Sequence, residues 1–244
     1  MLFTKKKEQE NAQQELIKDG KTHIFNLIIL DESGSMHIIE EAARSGCNEV
    51  LGTIRKAAEN NAEIEQNVTL IFFDDTMRYI YKHEKIDNVK DIDREYCPRA
   101  CTALYDAMGI SLTALEKEVD KYDDAIGLVT VITDGQENSS REYSGKEVYD
   151  LVGRLREKGW TFAFMGANQD VMETAKRLNI KNAREFEYTD SGMRDSFSKA
   201  AHANIGYNAR MAESRKATKH MNKEEKMAYY AKIEIDSNFF EDQK

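Results

Sequence analysis

The chain has 244 residues, of which 41% are hydrophobic and 32% are charged. This profile is typical of one soluble globular domain with a sizeable core rather than of a disordered or membrane protein. No stretch approaches the roughly 20 consecutive apolar residues that span a bilayer, so we expect no membrane segment. The 44 acidic and 35 basic side chains give a net charge of −9, which is the opposite of the balance that nucleic-acid binding favours.

The N-terminal segment and the cysteines both indicate a reducing compartment. Residues 1–20 contain a run of three lysines but no apolar stretch and no small-residue cleavage site, so they do not resemble a signal peptide. Three cysteines suit free thiols better than a disulfide framework. Cys97 and Cys101 have too few Cys or His neighbours in sequence for a zinc site. We therefore expect a cytoplasmic protein.

The first half of the chain predicts two buried strands with a helix between them. Residues 23–30 form a nearly continuous apolar run that stops at Asp31, as in a central parallel strand. Apolar residues then recur at three- and four-residue spacing over residues 38–60, which predicts a helix. Residues 67–73 are a second strand, and the alternation at residues 77–83 is typical of an antiparallel hairpin partner.

The second half continues the alternation of strands and helices. Residues 84–101 are polar and irregular, and Thr102 is expected to open the next helix. The remaining predicted elements are a strand at 125–133, a helix at 146–158 that Gly159 ends, a strand at 160–165, a helix at 169–178, a strand at 183–188 and a helix at 192–208.

This order predicts an α/β fold, a parallel sheet with helices on both faces. We divide the chain into a lead-in at 1–21, one domain at 22–208 and a charged helical tail at 209–244. Residues 210–226 carry six Lys or Arg against three Glu, which indicates a solvated helix face rather than an anion-binding patch. The ring pair Phe239-Phe240 leaves two alternatives open: a mobile or partner-docked end, or packing back on the domain.

Five oxygen-bearing side chains are expected at one edge of the sheet. They are Asp31, Ser33, Ser35, Thr102 and Asp134. Three alternate directly after the first strand, one stands at a predicted helix start, and one follows the strand at 125–133. Ligands of open α/β sheets bind at the carboxyl ends of the strands. Because the set contains no imidazole or thiolate, it suits Mg²⁺, with Mn²⁺ and Ca²⁺ as alternatives.

Each segment also has a plainer explanation. A serine-glycine loop and an aspartate-glycine pair are common turn chemistry, and a threonine at a helix start is a common N-cap. These explanations account for the segments one at a time. They leave unexplained why three such segments are expected at one edge of the sheet, and we therefore favour the cation site.

The three motifs together resemble a known family. The chain has D-x-S-x-S from Asp31, T-A-L-x-D-A from Thr102 and T-D-G ending at Gly135. This combination is similar to the metal-ion-dependent adhesion site of von Willebrand factor A (VWA) domains, here of the intracellular bacterial type, and the resemblance covers residues 22–208. It implies a doubly wound, mostly parallel, Rossmann-like sheet with one antiparallel edge strand, in agreement with the hairpin strand at 77–83.

The resemblance also implies a ligand set and a function. Ser33, Ser35 and Thr102 would give hydroxyl ligands, and Asp31 and Asp134 would contact the cation directly or through water. The family uses an open coordination position to accept an Asp or Glu of a protein partner, which implies a binding module that can serve as a docking arm in a larger complex. The chain departs from the family at residues 99–101, where Arg-Ala-Cys replaces the usual glycines.

An enzymatic alternative is a metal-dependent phosphatase or phosphotransferase with Asp31 as nucleophile. Aspartyl-phosphate chemistry of that type would want a second aspartate two residues on, where this chain has Ser33. The sequence also lacks a phosphate-binding P-loop, a serine nucleophile elbow and an H-E-x-x-H motif. We therefore expect no enzyme activity.

Four more polar residues are expected near the same edge. They are Glu32, Asp106, Glu137 and Asn138. Asp106 follows Thr102 by one helical turn and either hydrogen-bonds the metal loop or caps another loop. The pair at 137–138 is expected to border the binding surface.

Overall fold

The computed structural model describes residues 15–134, 137–167, 171–233 and 239–240. The strands are β1 (Thr22–Asp31), β2 (Ile64–Phe73), β3 (Met77–Lys85), β4 (Ala125–Thr133), β5 (Thr161–Ala167) and β6 (Asn182–Phe186). The α-helices are α1 (Glu40–Asn60), α2 (Leu104–Val119), α3 (Gly145–Glu157), α4 (Val171–Arg177), α5 (Asp190–Thr218) and α6 (Lys223–Lys232). Most of the predicted lead-in, Gly135 and the predicted helix start at residue 169 lie outside the described residues.

The sheet is mostly parallel and has the order β3-β2-β1-β4-β5-β6. β1 pairs in parallel with both β2 and β4, and only β3, at the edge, runs antiparallel to its neighbour. The predicted fold class is confirmed. From β1 the chain builds the sheet in one direction to β3, and from β4 in the other direction to β6, so the strand order reverses between β1 and β4. We call this place the switch point.

The central strand β1 is buried on both faces because each face is covered by helices. Leu27 and Ile29 pack into a core with residues of α2 and α3. Ile28 and Leu30 pack into a second core with residues of α1 and the first half of α5. Alternate side chains of a strand point to opposite faces, and this explains why the apolar run that predicted β1 was continuous rather than alternating.

Helix α5 is longer than its sequence pattern predicted. The expected end was residue 208, whereas the helix continues to Thr218. Its buried side includes small residues such as Ala203 along with Tyr207 and Met211, so the apolar periodicity is weak in the sequence. Its close packing on α1 depends on a glycine, since a Cβ at Gly46 would lie 2.1 Å from the Phe197 ring.

The C-terminal aromatic pair packs back on the domain. Phe239 is 1% exposed, and its ring meets the Tyr207 ring edge-on at 6.2 Å and the Phe240 ring at 5.0 Å. Its backbone N–H donates to Oδ1 of Asn182 in β6 at 3.3 Å. Of the two alternatives for this pair, the structure supports packing. Within the described ranges, every helix is too short or too polar to cross a membrane.

Candidate metal centre

The two aspartates of the candidate site lie at the switch point. Asp31 is the last residue of β1, and Asp134 directly follows β4. These strands are parallel neighbours, with Leu30 paired to Ile132, so they end at the same edge. Asp31 is 0% exposed and Asp134 is 7% exposed. The topology therefore buries at one edge two carboxylates that are far apart in the sequence.

The Asp31 carboxylate is held through both of its oxygens. Oδ1 accepts the backbone N–H of Ser33 at 2.7 Å, and Oδ2 accepts the Thr133 hydroxyl. The buried Tyr96 donates its hydroxyl to the Asp31 backbone oxygen at 2.6 Å. Burial still raises the pKa of Asp31 to about 6, and the Asp134 charge adds to the rise. A cation beside this carboxylate would favour its charged form.

A chain of oxygen atoms links the serines to Asp134. The hydroxyl oxygens of Ser33 and Ser35 are 3.1 Å apart, and Ser35 donates to Oδ1 of Asp134 at 2.9 Å. The Tyr188 hydroxyl contacts the Ser35 backbone oxygen and the Asp134 carboxylate. Burial raises the pKa of Asp134, although the hydroxyls of Ser35 and Tyr188 act to lower it. Asp31, both serines and Asp134 thus form one connected cluster.

Thr102 is buried in the loop before α2. The prediction that it opens the helix was wrong by two residues, since α2 begins at Leu104. The reason is a reciprocal contact: the Thr102 N–H donates to Oδ1 of Asn138 at 3.0 Å, and its carbonyl accepts the Asn138 N–H at 3.0 Å. On the other side, Ala100 O accepts the Gly34 N–H at 3.1 Å. These bonds place Thr102 between the loops that follow β1 and β4.

Glu32 is directed away from the oxygen cluster and braces the loop before Thr102. It is 2% exposed, and its carboxylate forms a two-point ion pair with Arg78 of β3 at 2.6 and 3.1 Å. Its Oε1 also accepts the Cys97 N–H at 2.6 Å. Since both oxygens are engaged, the carboxylate holds β3 and the Cys97 loop against the end of β1.

The other polar residues expected near the site organise the loop that follows Asp134. Glu137 accepts the Tyr105 N–H at 2.9 Å in the first turn of α2. Asp106 accepts three backbone N–H groups of residues 141–143 at 2.7, 2.8 and 2.7 Å. Asn138 holds Thr102, as described above. Asp106 thus caps residues 141–143, in the same loop that begins at Asp134.

Three residues that contact the cluster were missed by sequence reasoning. Tyr188 stood inside the predicted strand at 183–188, but β6 ends at Phe186 and leaves the tyrosine in the loop before α5. Tyr96 lies in an irregular segment without periodicity, so no signal pointed to it. Thr133 belongs to the T-D-G motif, and its position beside Asp134 was the available signal.

The donor set fits a hard divalent cation. It combines two buried carboxylates with hydroxyls, and such oxygen ligands suit Mg²⁺, Mn²⁺ or Ca²⁺ rather than zinc. The described residues contain no group of three or more His, Cys, Asp and Glu that could hold a metal. The candidate set at the switch point instead combines two carboxylates with hydroxyl oxygens.

Comparison with known proteins identifies the fold. No protein-family model and no curated protein sequence matches this chain. Solved structures do match. The von Willebrand factor type A protein from Catenulispora acidiphila superposes with a TM-score of 0.52 at 15% identity, over 76% of this chain and 43% of that one. This chain has a VWA-like fold.

Two further solved structures are similar to this chain in fold. The pilus adhesin SpaC from Lactobacillus rhamnosus GG, in an open conformation, gives a TM-score of 0.56 at 14% identity, over 80% of this chain and 31% of that one. The PilB minor pilin from Streptococcus sanguinis gives 0.52 at 13% identity, over 78% and 63%. The chain spans less than two thirds of the length of each of the three proteins. At these identities the likeness concerns the fold alone.

Proposed function

We propose that this chain is a cation-dependent protein-binding module of the metal-ion-dependent adhesion type. Asp31, Ser33, Ser35, Thr102 and Asp134 would hold one Mg²⁺, or Mn²⁺ or Ca²⁺ in its place. The observation that carries the proposal is the connected oxygen cluster at the switch point, with Ser35 donating to Asp134 at 2.9 Å. Such a cluster lies where ligands bind in open α/β sheets.

The charges of the cluster suit capture of an acidic partner. Two carboxylates balance the charge of one divalent cation, and the hydroxyls add no further charge. A bound cation would supply one open coordination position, at which an Asp or Glu of a protein partner can replace water. The net charge of −9 repels acidic partners at long range, but salt screens this repulsion beyond about 8 Å. The contact with the cation then decides binding.

The environment of Asp31 supports binding over catalysis. Aspartyl-phosphate chemistry would want a second acid two residues after Asp31, and that position holds Ser33, which is buried and hydrogen-bonded to Ser35. Among the described residues, the serines have no histidine hydrogen-bond partner that could activate them as nucleophiles. We therefore propose that the pure protein hydrolyses neither phosphoesters nor nucleotides. Turnover that Asp31→Ala abolishes would overturn this.

The first test is a calorimetric titration with Mg²⁺. We expect one binding site per chain. Asp134→Ala should abolish it, and the control Asp150→Ala should preserve it, because Asp150 is an exposed partner of Lys146 on α3.

The second test is the capture of partners from native extract by the immobilised chain, with and without EDTA. Capture should disappear with EDTA and in the double variant Ser33→Ala, Ser35→Ala, and persist in Ser45→Ala on α1. A complex that survives chelation would contradict the mechanism.

A further inference from the structure

Two exposed thiols lie in the loop that leads to Thr102. Cys97 and Cys101 are both free and exposed, whereas the third cysteine, Cys47, is buried in α1. Burial raises the pKa of Cys47 to about 12, so this thiol is protected from reagents in water. The chain thus carries two accessible thiols, four positions apart, beside the proposed metal centre, together with an inert internal control.

The segment between the two thiols is attached at three points to the loop that carries Ser33 and Ser35, which we call the serine loop. The Cys97 N–H donates to Oε1 of Glu32 at 2.6 Å, and the Arg99 N–H donates to the Glu32 backbone oxygen at 2.7 Å. The Gly34 N–H donates to the Ala100 oxygen at 3.1 Å. These bonds connect residues 97–100 to residues on either side of Ser33. Movement of the cysteine segment would therefore disturb the serine loop.

The backbone of this segment is also strained. Ala100 has a φ of +57°, in the left-handed region that is unfavourable for a residue with a Cβ. A conformation of this kind persists only where surrounding contacts impose it. The bonds of Arg99 and Ala100 to the serine loop are such contacts, so breaking them would remove what holds Ala100 in this conformation.

We propose that Cys97 and Cys101 form an intramolecular disulfide when the chain meets a low-molecular-mass disulfide, and that this bond weakens the metal centre. The bond closes a ring of five residues and fixes the Cα–Cα distance of its ends at roughly 4.4–6.8 Å. The ring then sets the torsions of residues 98–100 in place of the contacts to Glu32 and Gly34. Because Thr102 directly follows Cys101, both arms of the ligand set are affected. The effect on the metal rests on the proposed function.

The reaction balances with oxidised glutathione as the oxidant. One cysteine thiolate attacks a glutathione sulfur and releases the first glutathione thiolate. The second cysteine thiolate then attacks the protein sulfur of this mixed disulfide and releases the second. One disulfide bond forms in the protein and one breaks in glutathione, and the two thiol protons end on the two released glutathione molecules. No metal takes part in the exchange.

The crosslink is tested by mass spectrometry of the full chain after incubation with oxidised glutathione. We expect the wild type to lose two hydrogens with Cys47 unmodified, and Cys47→Ala to behave in the same way. Cys97→Ser and Cys101→Ser should each retain one bound glutathione instead. Stable glutathione adducts on both cysteines of the wild type would overturn the proposal.

The structural effect has a readout that needs no metal. Hydrogen exchange at the Gly34 and Arg99 amides should accelerate in the crosslinked chain and return to its initial rate after reduction. The Mg²⁺ affinity should fall by roughly 10- to 100-fold, the range seen when groups that orient metal ligands are lost. A crosslink that leaves both exchange and affinity unchanged would refute the coupling. A reduced chain that binds no Mg²⁺ would refute the proposed function, while exchange would still report on the disulfide.

Discussion

Carboxylates at the two ends of the sheet have different kinds of partner. At the amino end, Lys226 lies 2.9 Å from Asp123 and 3.7 Å from Asp124. Asp124 also accepts the Thr22 hydroxyl at 2.8 Å and the Tyr230 hydroxyl at 3.2 Å. This end neutralises its charges with a lysine of the same chain, so it is complete as a structural element and ties α6 to the start of β4.

At the carboxyl end, hydroxyl groups bind the carboxylates of Asp31 and Asp134. Asp31 accepts from Thr133, and Asp134 accepts from Ser35. The arginines of the adjacent segments are bound to other carboxylates, Arg78 to Glu32 and Arg99 to Asp74. Hydroxyl groups orient a carboxylate without cancelling its charge. This difference supports the proposed ligand-binding function at the carboxyl end and a structural role for the carboxylates at the amino end.

The largest effect should come from removing the lysine at the amino end. Lys226→Met leaves the partly buried Asp123 and Asp124 without the cation that neutralises them, and leaving a charged group without its hydrogen-bond partner costs about 3 kcal/mol. We expect that loss in the free energy of unfolding, measured by urea denaturation. The control is Lys232→Met, because Lys232 is exposed on the same helix. Equal losses in the two variants would remove the contrast between the ends of the sheet.

The next effect is stabilisation of the carboxyl end by added cation. Mg²⁺ at 100 times its dissociation constant should raise the free energy of unfolding by about 2.7 kcal/mol. Thermal melts should show this gain in the wild type and in Lys226→Met, and no gain in Asp134→Ala. The absence of a gain in the wild type, or an equal gain in Asp134→Ala, would contradict a metal site at the switch point.

The stability of the metal-free chain should depend on pH through Asp31 at the carboxyl end. Because the pKa of Asp31 is raised from 3.8 to about 6, the folded metal-free chain retains a proton between these values that the unfolded chain has lost. The bound proton therefore stabilises the folded metal-free chain fully below about pH 4, and this stabilisation is lost as the pH rises through about 6. The cation requires the charged form and competes with this proton.

The measurement is the gain from Mg²⁺ at two pH values. One unit below the pKa of Asp31, only about a tenth of the carboxylate is charged, so the apparent affinity is about tenfold weaker. A Mg²⁺ concentration that gives about 2.7 kcal/mol at pH 7.5 should then give about 1.4 kcal/mol at pH 5. Asp31→Asn removes one of the two carboxylates and should lose the gain at both pH values, whereas the control Asp150→Ala should keep the difference between them. A gain that is the same at both pH values would show that Asp31 does not compete for the cation.

The sequence predicted the sheet more completely than the surroundings of the site. Apolar runs identified β1 and β4, and the rule for carboxyl ends of parallel strands correctly placed Asp31 and Asp134 together. Tyr96 and Tyr188 could not be found in this way, because they reach the cluster from loops whose paths are set by tertiary hydrogen bonds. The end of α5 was missed for a related reason, since small buried residues leave little periodicity.

The smallest effect tests whether Asp106 touches the cation or only supports a loop. Its two oxygens accept three backbone N–H groups of residues 141–143. Asp106→Asn keeps one acceptor oxygen but turns an amide donor toward one of those N–H groups, so we expect a loss of about 1 kcal/mol in the free energy of unfolding. The Mg²⁺ affinity from calorimetry should stay within about twofold of the wild type, a change below 0.5 kcal/mol. Asp134→Asn is the matched substitution inside the cluster, and its affinity should fall far more. If Asp106→Asn weakens Mg²⁺ binding as much as Asp134→Asn does, then Asp106 belongs to the cation site and the boundary between the cluster and its supporting loop lies one helical turn farther into α2.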